Sequence, residues 1–122
     1  MNMTNVIYGD LPPLTLSIEE LKKVIISLLA AYPGSYSFIS YINSLSEHFI
    51  KSGNGFKASP NTIYSGCLCQ VDQAKVREII WDMIIDRYLN VGGNGHHEWP
   101  NFSVTERGKF FFEEIKKIPD SI

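Results

Sequence analysis

The stretch Asn90–Trp99, NVGGNGHHEW, places three glycines and two adjacent histidines between two short apolar runs. These runs, Tyr88–Val91 and Asn101–Val104, have the length and composition of short β-strands. A tight reversal between twisted strands needs residues with positive φ, which glycine and asparagine adopt at little cost. Asn94 followed by Gly95 is a pair typical of such reversals. The stretch therefore predicts the tip of a β-hairpin, and not a metal or catalytic loop.

A metal site or a catalytic loop would need residues that the sequence does not supply. His96 and His97 diverge on an extended strand, and Cys67 with Cys69 forms a Cys-x-Cys pair without a matching second pair. Neighbours on a strand point to opposite faces, so Glu98 cannot orient the imidazole beside it. No nucleophile elbow, Walker loop or His-Glu-x-x-His motif is present. We therefore expect no metal, no cofactor and no enzymatic activity.

The totals describe an ordinary globular chain. Its 122 residues fit one domain. A net charge of −2 lacks the basic excess that nucleic-acid binders of this size often carry. Cys67 and Cys69 are expected to be small buried side chains in a reducing cytoplasm. The longest apolar run, Val24–Tyr32, is far short of the ~20 residues that span a bilayer, and no signal segment opens the chain. We expect a cytoplasmic protein that does not enter membranes.

Two helices are predicted in the first half. Residues 1–16 contain Pro12 and Pro13 and form an extended lead-in. Ser17 and Glu20 make a capping box, which starts a first helix at about Ile18 and lets it run to Ala31 before Pro33 and Gly34. A second helix, ending near Ser52, has apolar residues at spacings of four, three and four. The residues expected to face inward are Leu21, Val24, Ile25, Leu28, Leu29, Phe38, Ile42, Leu45 and Phe49.

A third helix, about 72–88, is apolar on two sides. Asp72 is its expected N-cap, and Val71 with Val76 has the spacing of a hydrophobic staple. The main apolar stripe is Val76, Ile79, Ile80, Met83 and Ile84; a second is Trp81, Ile85 and Tyr88; the polar edge is Lys75, Glu78, Asp82 and Asp86. Such a helix is packed on most of its circumference or meets a partner.

After the hairpin, Val104–Lys109 opens a final helix that carries Phe110, Phe111, Phe112 and Ile115. The order of elements resembles a winged helix-turn-helix domain. The similarity is carried by Val76–Leu89, with Tyr88-Leu89 entering the first wing strand, and by Phe102–Lys109, with Val104-Thr-Glu-Arg-Gly108 closing the second. It covers residues 17–117 in pattern, with a tail over 118–122, and its specific motifs cover only 71–109. It implies an α+β fold, mostly helical, with a small antiparallel wing.

The same resemblance implies a DNA-binding regulatory protein. The third helix would enter the major groove, and the wing, about 89–104, would lie on the backbone or in the minor groove. Glutamine pairs with adenine edges, and lysine or arginine with guanine. The positions mapped onto double-stranded DNA are Asn61, Thr62, Gln73, Lys75 and Arg77 for bases, His96, His97 and Trp99 on the wing, and Lys57 and Arg107 for phosphates.

A second interpretation is a protein-interaction or homodimerisation module that does not bind nucleic acid. The wing carries no Lys or Arg, and the third helix turns acidic at Glu78, Asp82 and Asp86, which would repel phosphates. Winged-helix domains also serve as dimerisation and adaptor modules, although Trp81 and Phe110–Phe112 are more typical of a core. A basic patch formed by Lys57, Lys75, Arg77 and Arg107 would favour DNA. An exposed apolar stripe around Trp81, Ile85 and Trp99 would favour a protein partner.

Overall fold

The computed structural model describes residues 5–52, 56, 62–93 and 95–116. They form four helices, a three-stranded antiparallel sheet and a separate two-stranded parallel sheet. This arrangement confirms the expected α+β class. The elements in chain order are β1 (Asn5–Tyr8), α1 (Ile18–Ala31), β2 (Ser35–Ser37), α2 (Phe38–Ser52), β3 (Thr62–Ser65), α3 (Gln70–Ile85), β4 (Leu89–Val91), β5 (Asn101–Val104) and α4 (Glu106–Lys116).

The start of α1 is the predicted capping box. The Ser17 hydroxyl accepts from the Glu20 amide at 3.2 Å, and a Glu20 carboxylate oxygen accepts from the Ser17 amide at 3.0 Å. Two of the four amides that the first turn leaves unpaired in most helices are thereby satisfied or shielded. The buried residues of α1 are Leu21, Ile25, Ile26, Leu29 and Ala30, while Val24 and Leu28 are half-buried.

The inward face of α2 is the one that its spacing predicts. Its buried apolar residues include Phe38, Ile42, Leu45 and Phe49. Buried Ser46 also serves the loop before α3: its hydroxyl donates to the Ile42 carbonyl at 2.7 Å and accepts from the Leu68 amide at 2.9 Å. This bond anchors the entry to α3 on α2.

The sheet has the order β2-β5-β4. The hairpin β4–β5 is as predicted, and at its tip Gly93 and His96 exchange two backbone hydrogen bonds of 2.7 and 2.9 Å. Gly92 and Gly95 have φ of 99° and 81°, which explains the glycines of this stretch. Asn94 lies outside the described residues. The short strand β2 was not predicted; it pairs with β5 and sets Tyr36 opposite Phe102.

The predicted bounds of α3, about 72–88, are wrong at both ends, because the helix spans Gln70–Ile85. The helix begins at Gln70 with Cys69 as its N-cap, so Asp72 lies inside the first turn. Asp72 is only 1% exposed, and its Oδ2 accepts from the Leu14 amide at 2.9 Å. The staple is also wrong, because Val71 is 62% exposed while Val76 is buried. Local sequence pattern assigns the Asp72 carboxylate to a helix cap. In the structure it accepts instead from the amide of Leu14, 58 residues away in sequence.

The segment before α1 is extended, as predicted, and it packs into the core. β1 pairs in parallel with β3, and a loop joins β3 to α3. The Leu11 amide donates to the Cys67 carbonyl at 2.7 Å, and the Leu11 and Leu14 side chains are buried. The expectation of two buried cysteines is wrong: both are half-buried, and the Cys67 thiol donates to Asn43 Oδ1 at 3.1 Å.

The junction between β5 and α4 explains the motif Thr105-Glu-Arg-Gly108. The Thr105 hydroxyl accepts from the Gly108 amide at 2.8 Å and lies within 3.0 Å of the Tyr88 carbonyl. A Cβ at position 108 would come within 2.1 Å of that same carbonyl oxygen, so only glycine fits. Phe112 is buried, whereas Phe110 is 70% exposed, contrary to the expected core cluster. Successive helical residues point about 100° apart, so three in a row cannot all face inward.

Candidate interaction surface on the third helix

The two faces of α3 are both apolar, but only one is covered by the rest of the chain. The inner face is buried and consists of Val76, Ile79, Ile80 and Met83. On the opposite side Val71 is 62% exposed, Trp81 37% and Ile85 73%. Large apolar side chains that are exposed singly are common, but these three belong to one face of one helix.

Their spacing explains that alignment. Val71, Glu78 and Ile85 are seven residues apart, as are Ala74 and Trp81, and seven residues return a helix to nearly the same angular position. All five are exposed. We call these residues the outer seam. Repeated every three and four residues, they have the pattern by which one helix packs along another.

The central aromatic residue of the outer seam rests on a layer of rings. The Trp81 and Trp99 ring centroids are 5.1 Å apart, and Trp99 lies 5.4 Å from Phe38 and 6.2 Å from Phe102. Trp99 is half-buried by these contacts. The hairpin residue thus supports Trp81 from below, which holds a large amphipathic side chain in place at the surface.

The charges around the outer seam are mainly acidic at its centre and C-terminal end. Glu78, Asp82 and Asp86 are exposed. None of the three belongs to an ion pair within the described residues. Of the nearby cations, Lys75 is half-buried, and the Arg77 guanidinium lies 5.9 Å from the centre of the Phe38 ring. A cation over a ring face is held by the negative π surface.

The described residues that were predicted to contact DNA have different surroundings in the structure. The Gln73 side-chain amide donates to the Leu68 carbonyl at 2.8 Å, which commits it to the helix entry. Thr62 is half-buried in β3, and the Arg107 guanidinium lies 5.1 Å from the Tyr88 ring centroid. Arg77 and Arg107 thus rest on different rings. Asn61 and Lys57 lie outside the described residues.

The predicted wing residues divide into two kinds. His96 and His97 are exposed at the hairpin tip, as a contact with any ligand would require. Trp99 instead packs on the core, in the same ring layer as Trp81 and Phe38. The exposure of Val71 was missed because the helix start was misplaced. The seven-residue repeat from Val71 to Ile85 was the signal that could have revealed the seam.

A shallow groove of about 420 Å³ lies between α1 and α2 and is lined by Tyr32, Tyr36 and Tyr41 among others. Several of its polar groups have partners within the chain. Lys51 pairs with Glu47 at 2.8 Å, the Tyr36 hydroxyl donates to the Tyr32 carbonyl, and the Tyr41 hydroxyl donates to a carbonyl of α1 at 3.4 Å. The groove offers a ligand few convergent polar groups, so the outer seam is the stronger candidate surface.

The surroundings of the Cys69 thiol favour its protonated form. Burial raises the pKa of the Cys69 thiol, and its hydrogen bond to Asp72 acts in the same direction, so the thiolate is disfavoured.

In the described part of the chain, no three His, Cys, Asp or Glu side chains are grouped so that they could hold a metal ion. Across those same residues, no helix has the length and apolar character needed to cross a bilayer. Comparisons with protein-family models, curated proteins and solved structures found no match.

Proposed function

We propose that this chain is a protein-binding module of the winged-helix type, with the outer seam of α3 as its contact surface. The winged-helix assignment is supported by the chain order: three helices precede the antiparallel hairpin β4–β5, and α4 follows it. That is the order on which the sequence resemblance rests. The motif residues also have structural roles, since Thr105 and Gly108 join the hairpin to α4.

The observation that carries the proposal is the exposed apolar seam. Protein interfaces are enriched in aromatic residues, and tryptophan is frequent among residues that dominate binding energy. Trp81 is the large exposed side chain next to the midpoint of the seam, and Trp99 preorganises it. Val71 lies about three turns before Trp81 and Ile85 about one turn after it, and both are exposed.

Three features make DNA a poor partner for this face. Each phosphate bound needs a neutralising cation, but Glu78 and Asp82 occupy the exposed middle of α3. Residues 89–104, which would form the wing, contain no Lys or Arg. The side-chain amide of Gln73 already has a partner in the Leu68 carbonyl.

Affinity capture from the source cells, with quantitative mass spectrometry, tests the proposal. Ile85→Glu places a charge on the seam, so it should remove the specific partners. Phe110→Glu is the matched control, because Phe110 is equally exposed but lies on α4. If both variants capture the same proteins as the wild type, the outer seam is not the contact surface. Denaturation curves for both variants show that each remains folded.

DNA binding is a second candidate, and the exposure of Arg77, His96 and His97 favours it. On this proposal the chain is a regulatory protein that docks the N-terminal half of α3 in the major groove. Arg77→Ala should then weaken binding to a preferred site by ~1–3 kcal/mol if the guanidinium reads a base. A variant that binds such a site as tightly as the wild type would remove Arg77 from the interface.

A further inference from the structure

We propose that the occupant of the outer seam is an amphipathic helix of a different protein, which presents Lys or Arg opposite Glu78. This inference rests on the protein-binding function proposed above and adds the chemistry of the partner. It follows from three properties of α3: the repeat of its exposed residues, the charge at the middle of that repeat, and the residues that flank it.

The repeat selects a helix as the partner. Val71, Glu78 and Ile85 form one line along α3, and Ala74 and Trp81 form the adjacent line, which is the alternating three- and four-residue spacing of a helix-packing seam. The 16 residues of α3 span about 24 Å at 1.5 Å per residue. A partner helix of similar length can therefore place apolar side chains along the whole seam.

Glu78 sets the charge of that partner. It is the one ionisable side chain among the five seam residues, and it lies midway between Val71 and Ile85. A helix packed on the seam would remove this carboxylate from water, which is unfavourable unless a cation or hydrogen-bond donors meet it. A lysine or arginine on the partner supplies both a positive charge and donors.

A second copy of the chain does not meet this requirement. Two α3 helices running in the same direction would bring their Glu78 carboxylates together, and like charges at a packed position repel. Helices running in opposite directions would set Glu78 against the apolar Ala74 or Trp81 of the other copy. In both arrangements the seam carboxylate faces no cation from the partner's seam.

The charged residues beside the seam also favour a basic partner. Asp82 is exposed one turn after Glu78, and Asp86 follows at the end of α3. Arg77 is held over the Phe38 ring beside the seam, and Lys75 is half-buried. The C-terminal half of the seam is therefore acidic, and a basic partner fits it better than an acidic one.

The test uses the full chain and two designed peptides. Both form the same amphipathic helix with leucines at the seam positions. One carries Lys, and the other Glu, at the positions that face Glu78 and Asp82. Titration is followed by tryptophan fluorescence, which reports on Trp81. The Lys peptide should bind about tenfold tighter, and this ratio should shrink as salt screens the charges.

Two variants assign the effect to the seam. Glu78→Gln should reduce the preference for the Lys peptide, because it removes the seam charge and keeps the side-chain shape. Ile85→Glu should weaken both peptides, while Phe110→Glu should leave both unchanged. If the seam binds apolar helices without regard to charge, Ile85→Glu will still weaken both peptides and Phe110→Glu will leave both unchanged. Glu78→Gln will then not alter the relative affinity of the two peptides.

Several outcomes overturn the inference. Equal affinity for the two peptides would show that the partner is not selected for basic residues. The capture experiment could still support protein binding in that case. No binding of either peptide would exclude a helix as the occupant. Self-association of the wild-type chain in sedimentation equilibrium, lost in Ile85→Glu, would assign the seam to a second copy. The proposed protein-binding function is tested separately by the capture experiment. It fails if Ile85→Glu captures the same proteins as the wild type.

Discussion

The inner and outer faces of α3 are built from similar residues and differ in what covers them. Ile80, on the inner face, is fully buried against the rest of the core, whereas Ile85, on the outer face, is 73% exposed. The same residue type therefore contributes to folding at one position and is available for binding at the other. Apolar content along a helix shows that it has faces to bury, but only the fold shows which face is still open.

The largest expected difference between the two faces is in stability. Ile80→Ala should lower the free energy of unfolding by ~2–5 kcal/mol, because it removes buried methyl groups and leaves a cavity. Ile85→Ala should change it by no more than about 0.5 kcal/mol, because its side chain is mostly in water. Urea denaturation followed by tryptophan fluorescence measures both. Equal losses would mean that Ile85 is covered in solution, as in a stable oligomer.

The second expected effect concerns the tie between α3 and the N-terminal segment. Asp72→Ala should lower stability by ~1–3 kcal/mol, because the buried Leu14 amide loses its acceptor. Amide hydrogen exchange should become faster at Leu14 in particular. The matched control is Asp82→Ala on the exposed side of α3. If Leu14 remains as protected in Asp72→Ala as in the wild type, the hydrogen bond does not hold this segment in place.

A third, smaller effect lies on α1, away from both faces of α3. Ser17→Ala should lower stability by ~1 kcal/mol, because the amide of Glu20 loses its cap. The affinity for any partner of the outer seam should stay unchanged. Loss of binding by a variant that is still fully folded would contradict a contact surface confined to α3.

The smallest effect is a pH dependence of the same cap. The hydrogen bonds from the backbone and side chain of Ser17 lower the pKa of the Glu20 carboxyl below its usual value. A folded-state pKa below the unfolded one gives stability that is present above the unfolded pKa and is lost as pH falls through the folded pKa. Glu20→Gln should flatten this part of the stability curve in acid titrations. Parallel curves for the variant and the wild type would contradict it.

Local sequence pattern predicted most of the fold, because the residues that indicate a helix lie close together in sequence. The capping box at Ser17 and the apolar spacing of α2 involve residues within a few turns of one another. The role of the hairpin glycines could also be predicted, since positive φ at Gly92 and Gly95 is a local requirement. The short strands β1, β2 and β3 were not, because their pairing partners lie far along the chain.

The candidate site was predicted less well, and for the same reason. Sequence pattern treated Asp72 as a cap, but a contact with Leu14 placed it inside the helix and turned Val71 outward. Trp99 was assigned to the hairpin surface, and packing against Phe38 and Trp81 placed it on the core. Residue spacing shows which side chains share a face of a helix, but long-range contacts decide which face is exposed.

The most direct test of the central claim, that the outer face of α3 meets protein and not phosphate, is a DNA titration. Random double-stranded DNA is titrated with the full chain at several salt concentrations, and binding is followed by fluorescence anisotropy. The account predicts no saturable binding even at low salt, because acidic residues occupy the exposed middle of α3. Binding whose log affinity falls with log salt by a slope equal to several phosphates, and which Arg77→Ala weakens, would contradict the account.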